Sequence, residues 1–129
     1  MMIYLASPYS DPCRSVRTLR YQQAAKAALD LNKAGIPCIS PITHWHVTAI
    51  ENDLPTDAST WSAINQGWVA SSCAVAVLCI EGWQKSEGIK LEIYWAELLS
   101  IPVIYLDPTK QSGWAKLIEN TEVIVHENS

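Results

Sequence analysis

The chain contains no phenylalanine, although it carries six tryptophans and five tyrosines. Every large aromatic ring therefore bears an N–H or O–H that needs a partner wherever the ring is buried. Charge is sparse as well. Asp, Glu, Lys and Arg make up 17% of the 129 residues, against 49% hydrophobic. That balance argues against extended disorder and supplies a core without covalent staples. A net charge of −4 and a pI near 5.2 speak against a nucleic-acid polymer as partner, since such binders carry a basic patch. Cys13, Cys38, Cys73 and Cys79 form no CxxC pair and match no zinc or haem spacing, so reduced thiols and no metal are expected. Long apolar runs are missing too: the longest, Cys73–Ile80, falls far short of the ~20 residues a membrane span needs. Met1–Ala6 lacks a basic region and is too short for a signal peptide. Neither the dinucleotide glycine fingerprint nor a P-loop occurs, so ATP or NAD binding by those devices is not expected and no cofactor is implied. The expectation is one soluble, cytoplasmic domain over residues 1–129 with no membrane partner.

The segments that remain alternate in type. Ile3–Ala6 has the composition of a short strand, ended by the turn Ser7-Pro8-Tyr9-Ser10. Asp11 followed by Pro12 predicts a helix start, an Asx N-cap with proline at the first helical position. The helix should run to Gly35 with Val16, Leu19, Ala24, Ala27 and Leu31 on its buried face. Ile36–Ile39 is a second strand closed by Ser40-Pro41, and residues 43–55 read as a loop. Asp57 or Ser59 would cap a helix to about Ser71, carrying Trp61, Ile64 and Trp68 at helical spacing. Ala74–Ile80 is a continuous apolar run suited to a central parallel strand. Ser86 to Ser100 predicts a helix with Ile89, Ile93, Ala96 and Leu99 in one stripe. Ile101–Leu106 is a strand, Ser112–Glu119 a helix, and Glu122–His126 an edge strand. Strands alternating with helices imply βαβ units. The expected fold is a Rossmann-like, flavodoxin-like three-layer α/β sandwich with a mostly parallel sheet of about five strands. Ligands in such sheets bind beyond the carboxyl ends of the strands. That selects three loops, at residues 7–11, 40–46 and 81–88.

Chemistry-bearing residues fall in those loops. In Ser86-Glu87-Gly88-Ile89-Lys90-Leu91-Glu92, Ser86 caps a helix whose first N–H groups and dipole favour an anion, and Gly88 allows close approach to the backbone. Glu92 lies six residues on, about 9 Å along the axis. A phosphate at Ser86 and a reacting carbon near Glu92 would fit one nucleotide-sized ligand. The helix dipole is expected to hold Glu92 ionised, as a nucleophile requires; otherwise Glu92 points to solvent and pairs with a lysine. Ser7, Pro8, Tyr9 and Ser10 offer hydroxyls and N–H groups at a strand end, or form an ordinary turn. His44 and His46, two apart on an extended segment, would face one side and line a pocket. Tyr9, Trp45 and Trp83 could stack on a ring or exclude water, while Trp61, Trp68 and Trp95 could pack the core or join subunits.

Tyr4-Leu5-Ala6-Ser7-Pro8-Tyr9-Ser10, Ser40-Pro41-Ile42, and Gly82-Trp83 leading into Ser86-x-Gly88-x-x-x-Glu92-x-x-x-Ala96 resemble the nucleoside 2-deoxyribosyltransferase-like superfamily over about residues 3–106. Within it, the chain is most similar to a small uncharacterised bacterial and phage branch with this opening. The resemblance implies a Rossmann-like enzyme that cleaves the N-glycosidic bond of a (deoxy)nucleoside or its 5′-monophosphate. The residue matching Glu92 would attack the anomeric carbon, and a base or water would resolve the ester. Tyr9 and the neighbouring serines would orient the sugar and the glutamate, and Ser86, with hydroxyls of the first loop, would hold the 5′-phosphate. The chain departs from the pattern at Asn65, where transferases carry an aspartate, and at Ser72-Cys73, where an acidic residue is common. Asn65 can hydrogen-bond but not act as an acid. Protonation of the leaving base is left to Asp53, Asp57, His44 or His46. The resemblance also implies a homo-oligomer. A catalytically inactive nucleotide-binding sensor or adaptor is the alternative on the same fold, and a purely structural or interaction protein, with no pocket at the three loops, is a further one.

Overall fold

The computed structural model describes residues 2–55 and 58–128, with side chains described outside 58–60 and 122–128. Its elements are β1 (Ile3–Ala6), α1 (Arg14–Lys33), β2 (Cys38–Ile39), α2 (Pro41–Glu51), α3 (Ala58–Ala70), β3 (Ala74–Leu78), α4 (Glu87–Leu98), β4 (Val103–Leu106) and α5 (Trp114–Asn128). The four strands pair in parallel in the order β2-β1-β3-β4. Each parallel step requires a crossover, and the helices supply them.

β1 and β3 are buried along their whole length, as a strand covered on both faces must be. Alternation then divides their side chains. Ile3 and Leu5, with Ala76 and Leu78, pack with Ala27 and Leu31 of α1 and with Trp114 and Ile118 of α5. Tyr4 and Ala6, with Val75 and Val77, pack with Val69 of α3 and with Ile89, Trp95 and Ala96 of α4. These two cores, one on each face of the sheet, make the Rossmann-like three-layer sandwich. The strand order reverses direction between β1 and β3. This is the switch point at which ligands of doubly wound sheets bind.

Several local expectations are corrected. Among the described residues there are four strands rather than about five. Residues 122–126 continue α5 instead of forming an edge strand; their β-branched run favours a strand only where a sheet edge accepts it. Residues 43–51 are helical, not loop: Ser40 caps α2, its Oγ accepting from Thr43 N–H at 3.2 Å, and Pro41 occupies the first turn. Asp11 does not cap α1. Its Oδ1 accepts from Cys13 N–H at 2.8 Å in an Asx turn, and Cys13 takes the cap position without a side-chain bond. Leu19 is exposed rather than buried. In α4 the inward stripe is Ile89, Glu92, Trp95 and Ala96, whereas Leu99 is exposed. Asp57 lies outside the described residues, and Ser59 outside the described side chains.

Candidate active site

A cavity of about 480 Å³ opens at the switch point. Its walls come from the loop after β1 (Ser7, Tyr9, Ser10, Asp11), from α1 (Arg20), α2 (Trp45, His46) and α3 (Trp61, Asn65), and from residues 82–95 around the start of α4. Seven predicted residues thus meet in one place: Ser7, Tyr9, Ser10, His46, Asn65, Ser86 and Gly88, with Glu92 as an eighth. Pro8, His44 and Trp83 are not part of the lining. Pro8 is fully buried behind the loop. Trp83 packs against Tyr105 with ring centroids 5.6 Å apart. His44 and His46 do not share a face, because on a helix residues two apart diverge. His44 lies edge-on to Trp45 and Trp68, while His46 turns inward.

Glu92 reaches the cavity wall from the second turn of α4 and is buried. Its Oε2 accepts a hydrogen bond from the Tyr4 hydroxyl, which comes from the middle of the sheet. Burial pushes the carboxyl from an ordinary 4.5 up to about 8, and the Tyr4 bond opposes that rise by a smaller amount. The expectation that the helix dipole keeps Glu92 ionised is therefore corrected. The dipole acts within the first turn, and at the sixth residue of the helix desolvation outweighs it. Burial first, then the neighbouring carboxyl, keeps the Tyr4 phenol protonated. Tyr4 is the partner that pattern reading missed. The available signal was a tyrosine inside a fully apolar strand, because its hydroxyl must be satisfied somewhere.

A second polar group lines the opposite wall. The Tyr9 hydroxyl is hydrogen-bonded to His46 Nδ1 at 2.7 Å, and His46 stacks on Tyr21 with centroids 4.2 Å apart. Burial, then Arg17 and Arg14, holds the imidazole below its ordinary 6.5. Burial raises Tyr9 against the opposing pull of Arg17. Of the three candidates among the described residues for protonating a leaving base, His46 alone lines the cavity; Asp53 is exposed beyond α2.

Ser86 caps α4 as expected, its Oγ accepting from Ile89 N–H at 3.2 Å. Trp45 and Trp61 stand as a tilted pair 4.7 Å apart on one wall, and Trp95 joins the lining, so the rings on α3 and α4 serve the cavity as well as the core. Among the described residues three buried polar side-chain atoms have no hydrogen-bond partner: Ser7 Oγ, Trp45 Nε1 and Asn65 Oδ1. All three residues line this cavity. Within the protein these atoms, a hydroxyl, an indole N–H and an amide oxygen, keep hydrogen-bonding capacity that no other described residue uses.

No helix among the described residues is long and apolar enough to cross a membrane. Among the described residues no three His, Cys, Asp or Glu side chains gather as metal ligands would. No curated protein matches the chain. Residues 1–107 match the family model described as a domain of unknown function, DUF1937, and the chain belongs to that family.

Proposed function

We propose that the cavity cleaves the N-glycosidic bond of a (deoxy)nucleoside or its 5′-monophosphate, with Glu92 as the nucleophile, as a hydrolase or a deoxyribosyltransferase. The observation that carries the reading is the placement of Glu92. A buried carboxyl, bonded to Tyr4, faces a nucleotide-sized cavity at the switch point of a parallel sheet. In the reaction a Glu92 carboxylate oxygen forms a bond to C1′ as the C1′–N bond breaks. The electron pair leaves with the base, which takes up a proton. Water or a second base then attacks C1′ and returns the electron pair to the carboxylate. The Tyr4 hydrogen bond holds the carboxyl in place and favours its ionised form. Tyr9 and the loop serines orient the sugar, and the tryptophan walls exclude water and supply faces for the base. Base release from a panel of nucleosides and nucleoside monophosphates tests this. Glu92→Gln should abolish release while leaving the fold intact, and release at the wild-type rate would sink the assignment.

A second reading, a nucleotide-binding sensor or adaptor without turnover, is favoured by Asn65. Its amide lines the cavity with Oδ1 unpartnered and cannot supply an acid. Calorimetry beside the release assay separates the two: tight binding without product supports the sensor. The cytoplasmic setting and a homo-oligomer belong to the same reading. The exposed Tyr94, Leu98 and Tyr105 supply apolar surface that an interface would cover. Light scattering after size exclusion reads the mass directly, and a monomer at micromolar concentration would count against the oligomer.

A further inference from the structure

The chain has three arginines, and all lie at the start of one helix, at positions 14, 17 and 20 of α1. Spacings of three place them near one another along the helix surface. No acidic residue occupies the first turn. Cations in the first turn face the positive end of the dipole and are disfavoured; Arg17 also donates to the Asp11 carbonyl of the loop after β1. Among the described residues none of the three forms an ion pair with a carboxylate.

Arg20 is the member that enters the cavity. Its Nη1 donates to the carbonyls of Ser10 at 3.0 Å and Tyr9 at 3.4 Å, which ties the guanidinium to the loop after β1. Its other edge lies against Gly82, where a Cβ would collide with Nη2. Gly82 has φ +93°, so the backbone there favours glycine, and a larger residue would displace the guanidinium. The guanidinium is thereby held between the ends of β1 and β3, and among the described residues it forms no ion pair with a carboxylate. Two features share the cavity with it. Ser7 Oγ is 93% buried by residue and unpartnered, and the capped start of α4 at Ser86 contributes the positive end of a helix.

We propose that Arg20 is the charge-recognition group of this cavity and that the ligand presents a phosphoryl group to it, which selects a nucleoside 5′-monophosphate over the unphosphorylated nucleoside. This rests on the reading of the cavity as a nucleoside or nucleotide site and settles what that reading left open. A planar fork of donors matches phosphoryl oxygens better than a point charge does. Arg14 and Arg17, outside the lining, add to the local positive potential that draws an anion to the mouth. The wall also carries Lys85 and the carboxylates of Glu87 and Asp11. Glu87 points out and pairs with Lys90 at 3.4 Å, and Asp11 is engaged in its Asx turn. Glu92 is kept protonated at neutral pH by its burial.

The test is calorimetry with the four common 2′-deoxynucleoside 5′-monophosphates, the four matching nucleosides and ribose 5-phosphate. Wild type, Arg20→Gln and Arg20→Lys are compared, each first checked by thermal unfolding. Wild type should bind at least one monophosphate about 10–100-fold more tightly than its nucleoside. Arg20→Gln should lower monophosphate affinity more than nucleoside affinity and so remove that preference, and Arg20→Lys should keep part of it. Equal binding of monophosphate and nucleoside by wild type overturns the proposal and leaves the glycosidase reading standing. So does a preference that survives Arg20→Gln or, should that variant fail to fold, one undiminished in Arg20→Lys. Ribose 5-phosphate bound as tightly as the nucleotides, and dependent on Arg20, supports the phosphoryl contact and counts against base recognition. Failure of every probe to bind wild type removes both.

Discussion

Replacing Glu92 with glutamine should make the protein more stable, and increasingly so as pH rises. The buried carboxyl holds its proton up to about pH 8 in the native state, against an ordinary value of 4.5. Below 4.5 it is protonated in both native and unfolded chains and costs nothing. Between the two values the unfolded chain releases the proton while the native one keeps it. Native stability therefore falls with rising pH, and the loss is complete above about 8. At roughly 1.4 kcal/mol per pH unit of that window, the burden is on the order of 3 kcal/mol at pH 7 and 4–5 kcal/mol above pH 8. Glutamine has the same shape, does not titrate, and retains an oxygen for the Tyr4 hydroxyl. The difference in unfolding free energy between Glu92→Gln and wild type should thus be near zero at pH 4.5 and grow steadily to pH 8. Urea unfolding at half-unit pH steps measures it, and comparing the two proteins cancels the contributions of every other titrating group. A difference that stays flat with pH, or that turns against the glutamine variant as pH rises, would refute the claim that burial governs this carboxyl. Stabilisation together with lost activity would mark a site kept at the expense of the fold.

Three other outcomes follow from the same geometry. For a nucleophilic Glu92, kcat/KM for base release should climb about tenfold per pH unit below neutrality and level off above pH 8, because the ionised carboxyl attacks; a profile that falls through pH 8 would assign it the role of acid instead. Tyr4→Phe removes the hydroxyl that donates to Glu92, so it should cost about 1–2 kcal/mol in urea unfolding and move the Glu92 titration, followed by carboxyl NMR, to higher pH. Ser86→Ala loses the bond to Ile89 N–H and should lower stability by about 1 kcal/mol in the same assay; no change would mean that water replaces the cap at no cost.

Much of the frame was legible along the chain. Ser86 three residues before Ile89 is a capping pattern that depends on local geometry, and the structure forms it. The apolar run at Ala74–Leu78 became a buried central strand because a strand covered on both faces needs a continuous apolar run. Errors came where neighbouring signals competed. Ser40-Pro41 suits the end of a strand and equally the start of a helix, and it opens α2. With that, the extended geometry assumed for His44 and His46 failed, and only His46 reached the cavity. The valines and isoleucine of residues 123–125 carry a strand preference that no sheet edge takes up, and α5 runs through them.

The site divides along the same line. That loops at residues 7–11, 40–46 and 81–88 would gather at one end of a parallel sheet follows from strand direction, which alternating strands and helices impose whatever the packing. That Glu92 sits near a helix start is a matter of counting residues. Its protonation is not: the dipole is a property of position along the helix, whereas desolvation is a property of everything packed around the carboxyl. Tyr4, 88 residues away in sequence, and the walls that exclude water enter only when β1 and α4 are brought together. Arg20 likewise becomes part of the cavity only because the loop after β1 and Gly82 close on it from two strands. The residues able to carry the chemistry were visible in order along the chain; their charge states and partners depend on contacts between segments far apart in it.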